Sequence, residues 1–299
     1  MSDRPGFART EPVLARMEPV LAQTAPVVAR PEPLFPRNQP VLACTEPAFA
    51  GRTAPPFART APLSARTAMV MAAGLGKRMR PLTITTPKPL VRVAGKPLIE
   101  HTMAHLVNAG MQRVIVNVHY LADSLEAHLK AQDYPFELMI SDERDLLLET
   151  GGGLVKALPM IDEDPFFCLN SDNIWLESAR SCFDELRSAW DDSRMDALLL
   201  LVPHSRATNH EGVGDFHLDQ LGRIIRRRAA RVAPYIYTGI QLLSRRLLVD
   251  PPEGAFSTNV VWNRAIAADR LFGIAHLGQW FDVGTPAAIE PTQAALLSA

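Results

Sequence analysis

The segment MVMAAGLGKRMRPLTITTPKPL, residues 69–90, constrains the fold of this chain more than any other part of the sequence. Its leading apolar residues predict a buried strand of a parallel sheet. The strand ends at Gly74-Leu75-Gly76, where the missing side chains let backbone N–H groups approach a ligand. A turn of this kind commonly leads into a helix N-terminus, which favours phosphate. The segment therefore predicts a phosphate-binding turn at the end of a strand.

Cationic side chains follow this turn in two separate places. Arg78 is flanked by Lys77 and Arg80, and Lys88 stands between two prolines that stiffen its approach. One glycine turn with two cationic arms suits a polyphosphate better than a flavin or a nicotinamide. The P-loop signature is absent, since no Lys-Ser or Lys-Thr follows a glycine at the required spacing. The dinucleotide signature needs a small residue where Met79 stands.

Segments typical of helices and strands alternate after the turn. Helical spacing of apolar residues spans 97–109, residues 113–118 predict a strand, 123–132 a helix and 136–140 the next strand. This alternation predicts a parallel sheet covered by helices on both faces. We expect residues 68–299 to form this domain.

Two later segments add candidate binding residues. Three glycines, 151–153, precede a helical run and would let backbone N–H and C=O groups approach a flat base. An apolar strand, 166–169, ends in Asn170-Ser171-Asp172, and ligands of α/β sheets bind at the carboxyl ends of strands. A flexible hinge for the glycines and a turn or cap for the aspartate are the alternatives that the pattern leaves open.

Taken in order, GLGKRMRPLT and TPKPL resemble the signature of the sugar-1-phosphate nucleotidyltransferases, the NDP-sugar pyrophosphorylases. The resemblance extends from about Ala68 to the C-terminus. Within that family, the segments ETGGG (149–153), NSD (170–172) and WFDVGT (280–285) resemble most closely the N-acetylmuramate-1-phosphate uridylyltransferases of bacterial cell-wall recycling.

The resemblance implies a three-layer α/β, Rossmann-like nucleotidyltransferase domain with a mixed, mostly parallel central sheet and a small antiparallel sugar-binding extension. It implies an enzyme in which a sugar 1-phosphate attacks the α-phosphorus of UTP, with Mg²⁺ as cofactor and a UDP-sugar and pyrophosphate as products. N-acetylmuramate 1-phosphate is the expected acceptor, in peptidoglycan recycling. The alternatives are a glucose- or mannose-1-phosphate nucleotidyltransferase, a phosphocholine cytidylyltransferase and a non-catalytic regulatory subunit.

The resemblance also assigns roles to residues. Arg78 would bind the β- and γ-phosphates and the leaving pyrophosphate, and Lys88 would bridge the phosphates and the incoming sugar phosphate. Asp172 and Asp282 would hold the metal, and two carboxylates without histidine or thiolate favour Mg²⁺ over zinc. A non-catalytic subunit would not need these four residues. The remaining site residues are Ala72, Ala73, Gly74, Gly76, Gly152 and Gly153 for the nucleotide, and Gly214, Asp215, Thr238 and Gly239 for the sugar.

The acceptor side departs from the family pattern. Members often carry a Glu-Lys-Pro element where this chain has Arg226-Arg227-Arg228, followed by Arg231. N-acetylmuramate differs from N-acetylglucosamine by a lactyl ether that ends in a carboxylate, which an arginine can bind bidentately. The arginine run therefore predicts an acceptor that carries a carboxylate. A solvated edge strand is the equally open alternative.

Residues 1–67 differ from the rest of the chain. Prolines recur there every seven residues and then shift by one, at Pro5, Pro12, Pro19, Pro26, Pro33, Pro40, Pro47, Pro55 and Pro62. A proline in every repeat excludes a helix and therefore a coiled coil. We expect an extended, disordered tail, with eight arginines against five acidic residues.

Three interpretations of this tail compete. A mitochondrial-type targeting peptide is disfavoured, because such peptides form amphipathic helices and are poor in acidic residues. A proline-rich docking arm lacks an evident recognition motif. A tandem repeat that lies ahead of the true start codon is the interpretation that we favour, and the tail is then dispensable for catalysis.

Composition narrows the classes of partner. A net charge of −1 without a dominant basic stripe argues against nucleic acid, and no apolar run approaches the ~20 residues needed to cross a membrane. Cys44, Cys168 and Cys182 follow no disulfide or zinc spacing, so we expect unreactive core thiols. These features predict a cytoplasmic enzyme. The sequence leaves the oligomeric state open, and a monomer is compatible with it.

Overall fold

The structure is a computed structural model, and it describes residues 63–298. Most of the predicted tail, with its prolines and Cys44, lies outside the described residues. Among the described residues, none of the helices combines the length and the apolarity that a bilayer crossing requires.

Strands and helices alternate along the described chain. The strands are β1 (Thr67–Met71), β2 (Arg92–Val93), β3 (Lys96–Pro97), β4 (Arg113–Val118), β5 (Glu137–Asp142), β6 (Phe166–Asn170), β7 (Asn173–Leu176), β8 (Ala197–Pro203), β9 (Ala207–Thr208), β10 (Phe216–Leu218), β11 (Ile224–Arg226), β12 (Tyr235–Leu243), β13 (Leu271–Ala275) and β14 (Gln279–Asp282). The α-helices are α1 (Leu98–Asn108), α2 (Ala122–Lys130), α3 (Glu149–Ala157), α4 (Cys182–Ala189), α5 (Asn259–Ala267) and α6 (Ile289–Leu297). Short 3₁₀ turns include Lys77–Met79 and Lys88–Leu90.

The central sheet has nine strands and is mixed. Its main path runs β11-β10-β12-β6-β1-β4-β5, and β8 pairs with both β12 and β13 beside that path. The strands β6, β1, β4 and β5 are mutually parallel, whereas β12 is antiparallel to β6, and β10 and β11 form an antiparallel extension. The predicted α/β class and its mostly parallel centre are confirmed.

Two small sheets complete the fold. β7, β14 and β9 form a three-stranded sheet, in which β14 is antiparallel to β7 and parallel to β9. β2 and β3 form a two-stranded hairpin. The three-stranded sheet matters for function, because it joins the chain just after β6 to the end of β14.

Apolar side chains cover both faces of the central sheet. Val70, Val116 and Leu169 belong to the core on one face, and Met69 and Cys168 belong to the core on the other face. This alternation along each strand is the pattern of a sheet buried on both sides. Cys168 and Cys182 are free and buried, and burial raises the pKa of the Cys168 thiol to about 12, so a reactive thiolate is disfavoured there.

The folded chain begins before the predicted boundary at Ala68. Thr67 already belongs to β1, and Ala65 is buried. The carbonyl of Arg66 accepts a 2.8 Å hydrogen bond from the backbone of Gln112, and Arg187 donates 2.9 Å to the Ala65 carbonyl. The boundary was set too late because these backbone contacts reach residues distant in sequence and leave no local pattern.

The corrected boundary changes the expected result of truncation. Deleting residues 1–62 should leave kcat/KM within about twofold and the melting temperature unchanged, since a segment broken by prolines at this spacing cannot complete a core. Deleting residues 1–66 should lower the melting temperature, by about 2–4 °C for each kcal/mol lost, because the contacts of Ala65 and Arg66 disappear. Calorimetry on both truncations measures this difference, and a large loss in the shorter deletion would make the tail part of the enzyme.

Candidate active site

The predicted phosphate turn follows β1 directly. The backbone N–H of Ala72 donates to Oδ1 of Asn117 at 2.6 Å, which fixes the start of the turn. Gly76 has a φ of +60°, and a side chain there would meet the Cβ of Lys88 at 3.1 Å. A Cβ on Gly74 would meet no protein atom within 4 Å, so this part of the turn is open to a ligand.

The sequence predicted that this turn leads into a helix, but the structure shows no α-helix there. It leads into one 3₁₀ turn, Lys77–Met79, after which Arg80 is extended with φ −62° and ψ 142°. A residue before proline is pushed away from the helical region, and Pro81 follows Arg80. The contribution of a helix dipole to phosphate binding is therefore small here. The exposed guanidinium of Arg78 supplies positive charge for the phosphates instead.

Lys88 and Asp172 form the central ion pair of the site. Nζ of Lys88 lies 2.6 Å from Oδ2 of Asp172, and the two side chains are 12% and 29% exposed. Lys88 opens a 3₁₀ turn after Pro87, and Asp172 lies in the two-residue connection between β6 and β7. The strand end thus brings the predicted carboxylate to the predicted lysine.

Asp282 is brought beside Asp172 by strand pairing. It is the last residue of β14, and its Cα partner in β7 is Asn173, the residue after Asp172. A Cβ on Gly284 would lie 2.9 Å from Oδ1 of Asp282 and 2.9 Å from Nη1 of Arg78. Arg78, Lys88 and the two aspartates, predicted from segments far apart in sequence, therefore gather at one edge of the fold.

The two carboxylates fit a hard divalent cation. Their side chains are 29% and 27% exposed, so each is accessible to an ion and to substrate. Within residues 63–298, no group of three or more histidine, cysteine, aspartate or glutamate residues is arranged to hold a metal. A site with two protein carboxylates leaves positions for phosphate oxygens and water, which is the pattern that Mg²⁺ prefers and structural zinc does not.

A pocket of about 390 Å³ lies on the sheet between the glycine turn and α3. Ala73 and Gly74 line one side, Asn170 and Asp172 line the floor, and Thr150 lies on the α3 side. Ala73, Gly74 and Asp172 were predicted site residues. Ala72 and Gly76 do not line this pocket and instead shape the turn beneath it.

The predicted role of Gly152 and Gly153 needs correction. Both are buried inside α3, which begins at Glu149, so they do not precede the helix. The N–H of Gly152 already donates to the carbonyl of Phe256 at 3.2 Å and is not free to read a base. A Cβ on Gly152 would meet the carbonyl oxygen of Gly254 at 2.5 Å. These glycines let neighbouring backbone and side chains pack closely behind the pocket wall.

A buried polar network that the sequence motifs did not reveal supports the phosphate turn. Asn117 accepts the hydrogen bond from Ala72 and donates to Oε1 of Glu143 at 2.8 Å, and Oε2 of Glu143 accepts from the backbone of Leu148 at 3.2 Å. Asn117 and Glu143 are each 1% exposed, and Gly153 packs against both. The one available signal was a lone asparagine inside the apolar strand RVIVNV.

The predicted sugar residues divide into two groups. Gly214 and Gly239 have φ values of +77° and +85°, so both are turns that favour glycine. Thr238 is fully buried and its hydroxyl donates to the carbonyl of Leu200 at 2.8 Å, so this hydroxyl cannot contact a sugar. Asp215 accepts a 2.9 Å hydrogen bond from the backbone of Tyr237 and lines a second pocket.

This second pocket has a volume of about 280 Å³ and lies between β10, β12 and α5. The pocket is lined by the aromatic side chains of Phe216, Tyr237 and Trp262. Asp215 and Arg226 also line it. Tyr237 contacts Trp262 edge-on, with ring centroids 4.9 Å apart. An aromatic wall beside a charged rim is suited to a sugar that carries charged groups.

The four arginines of the predicted acceptor side behave differently. Arg226 lies over the Phe216 ring at 5.4 Å, and burial lowers the pKa of its guanidinium. Arg227 donates to the backbone carbonyls of Gly214 and Arg231, so it stabilises the loop. Arg228 and Arg231 are exposed, which matches the alternative interpretation of the arginine run as a solvated edge. Of the four arginines, Arg226 is therefore the candidate for binding the carboxylate of the acceptor.

Comparison with known proteins identifies the family of this chain. The family model described as nucleotidyl transferase matches residues 67–298. The chain is 42% identical over 234 residues to the N-acetylmuramate alpha-1-phosphate uridylyltransferase of Caulobacter vibrioides, covering 77% of this chain and 97% of the relative. It is 32% identical over 228 residues to the enzyme of the same name from Neisseria meningitidis, covering 76% and 96%.

Solved structures share the fold at low identity. The inositol-1-phosphate CTP transferase from T. maritima matches with a TM-score of 0.65 and 21% identity, and the match covers 80% of this chain and 97% of that one. At this identity the match supports the fold alone.

Proposed function

The chain belongs to the nucleotidyl transferase family and is a sugar-1-phosphate nucleotidyltransferase, and we propose that it transfers the uridylyl group of UTP to N-acetylmuramate 1-phosphate. The products are the UDP-sugar and pyrophosphate. The proposed setting is peptidoglycan recycling in the cytoplasm. The names of the two relatives support this choice of nucleotide and acceptor.

The contact between Lys88 and Asp172 is the structural observation that best supports the proposed transfer reaction. This contact lies between the pocket beside the glycine turn and the two carboxylates, Asp172 and Asp282. The phosphates of the nucleotide and of the acceptor would therefore both reach Lys88. An oxygen of the sugar phosphate attacks the α-phosphorus of UTP, the bond to the β-phosphate oxygen breaks, and pyrophosphate leaves with that electron pair. Phosphoryl transfer of this kind needs positioning and charge neutralisation more than covalent help from the protein.

Each charged residue has a part in that transfer. Mg²⁺, when bound by Asp172 and Asp282, supplies charge neutralisation at the phosphates. Lys88 turns from Asp172 to the phosphates and orients the incoming one. Arg78 neutralises the charge that develops on the leaving pyrophosphate. The open backbone at Gly74 lets the triphosphate lie close to the turn.

A substrate panel tests the proposal. The full chain is incubated with each of UTP, CTP, GTP and dTTP and with the 1-phosphates of N-acetylmuramate, N-acetylglucosamine, glucose and mannose. Pyrophosphate release gives the rates, and mass spectrometry identifies each product. We expect the highest kcat/KM for UTP with N-acetylmuramate 1-phosphate. A clear preference for another nucleotide or sugar would replace this assignment within the same family.

Arg226 is the proposed determinant for the acceptor carboxylate. Its Nε donates to Oδ1 of Asn263 at 2.6 Å and its Nη2 to Oδ1 of Asn259 at 2.7 Å. Neutral amides thus hold the guanidinium in place, the Asp215 carboxylate lies in the same pocket, and Nη1 has no hydrogen-bond acceptor within residues 63–298. A carboxylate in the pocket would add charge-assisted hydrogen bonds.

Replacing Arg226 with alanine should raise KM for N-acetylmuramate 1-phosphate by about 10- to 150-fold, the equivalent of about 1.5–3 kcal/mol for a charged hydrogen bond. KM for UTP should not change. Arg228→Ala is the matched control, since it removes the same charge at an exposed position. N-acetylglucosamine 1-phosphate lacks the carboxylate, so Arg226→Ala should not weaken its use. Equal losses for both sugars would refute carboxylate recognition by Arg226.

A further inference from the structure

His210 lies in a segment whose position is fixed on two sides. The segment follows β9, and β9 pairs in parallel with β14, with Thr208 opposite Phe281. The amide of Asn209 donates to Oγ1 of Thr292 at 2.9 Å and so ties the segment to α6. The next residue, His210, therefore reaches the level of Asp282 at the end of β14.

The imidazole of His210 is enclosed, so it has little freedom to turn. Its ring meets Trp280 edge-on, with centroids 6.0 Å apart, and the His204 ring is also 6.0 Å away. A Cβ on Gly212 would overlap Nε2 of His210, and Gly212 has no positive φ to explain the glycine otherwise. Only 17% of the His210 side chain is exposed.

This enclosure directs Nδ1 of His210 at Asp282. Nδ1 lies 3.5 Å from Oδ2 of the carboxylate, while Oδ1 faces Gly284 and Arg78. The two oxygens of Asp282 therefore have different neighbours. Asp172, by contrast, is approached by the cation of Lys88.

We propose that His210 is a positioning residue that holds the Asp282 carboxylate, through Nδ1, in the orientation that binds the divalent cation. The inference rests on the metal site of the proposed function and does not depend on which nucleotide or sugar is used. Residues that orient a metal ligand in this way typically contribute 10- to 100-fold to metal affinity. His210 lines a pocket together with Arg78 and Asp282, so the test has to separate an effect on the metal from an effect on substrate binding.

Manganese binding tests this role without turnover. Mn²⁺ alone is titrated into the full chain, and electron paramagnetic resonance measures the free ion. His210→Ala should raise the Kd for Mn²⁺ by about 10- to 100-fold. His210→Asn should restore most of the affinity, because its side-chain amide offers an N–H near the position of Nδ1. Glu290→Gln, at an exposed position on α6 that lines neither pocket beside the two aspartates, is the control and should bind as the wild type does.

Kinetics separate positioning from substrate binding. For His210→Ala, the Mg²⁺ concentration for half-maximal activity should rise in parallel with the Kd for Mn²⁺. At saturating Mg²⁺, KM for the sugar phosphate should match that of the wild type. Unchanged Mn²⁺ affinity in His210→Ala, or equal losses in the alanine and asparagine variants, would overturn the role. Wild-type protein that bound no Mn²⁺ would overturn the metal site and this role with it, whereas a different preferred nucleotide would leave both intact.

Discussion

Replacing Asp172 or Asp282 with asparagine is expected to reduce kcat by about 10²-fold or more, because each change removes one of two protein carboxylates available to Mg²⁺. Both side chains are partly exposed, at 29% and 27%, so the fold should survive. Asparagine keeps the shape and one oxygen but removes the charge. Rates measured across a Mg²⁺ titration, with the melting temperature of each variant, give the result.

Asp145→Asn is the control for the charge change, because Asp145 is exposed and does not line the pocket beside the glycine turn. Its kcat and its Mg²⁺ dependence should match those of the wild type. If Asp172→Asn or Asp282→Asn turned over normally at limiting Mg²⁺, that carboxylate would not be a metal ligand. If the melting temperature collapsed, the loss of rate would be due to unfolding, which would contradict the expectation that the fold survives.

Local features of the sequence predicted the fold well. The strand at 113–118 matches β4 at both ends, and the helix predicted at 97–109 is α1 from Leu98 to Asn108. The glycine turn was predicted to follow the strand now seen as β1; Gly74 in this turn is open to a ligand, and Gly76 adopts a positive φ. Periodicity and backbone conformation depend on neighbours in the chain, and a single sequence records them directly.

Features that depend on distant residues were predicted less well. Asp172 and Asp282 were named from resemblance, but their proximity depends on the pairing of β7 with β14, which no local pattern reveals. Glu143 was not singled out in the sequence, and the structure shows it buried and bonded to Asn117. Gly152 was interpreted as a base-binding turn, but the loop carbonyl that occupies its N–H comes from Phe256. In each case the deciding partner lies more than twenty residues away along the chain.

Lys88→Met is expected to change catalysis and metal binding in opposite directions. Turnover should fall by about 10²-fold or more, because a cation aimed at the phosphates in the transition state is lost. The free enzyme should bind Mn²⁺ about tenfold more tightly, because the ammonium that lies 2.6 Å from Asp172 no longer competes with the ion. Lys130→Met, at an exposed position on α2, is the control and should change neither quantity.

The sign of the metal effect distinguishes two uses of the ion pair. If Lys88 only stabilised the fold around Asp172, removing it would disorder the carboxylate, and Mn²⁺ affinity would fall as it should in Asp172→Asn. If Lys88 holds Asp172 until nucleotide and metal arrive together, Mn²⁺ affinity should rise in Lys88→Met while kcat falls. Electron paramagnetic resonance on the two variants without nucleotide separates these cases. The second result would mean that the resting ion pair weakens metal binding until the phosphates draw Lys88 away, which couples entry of the cation to entry of the nucleotide.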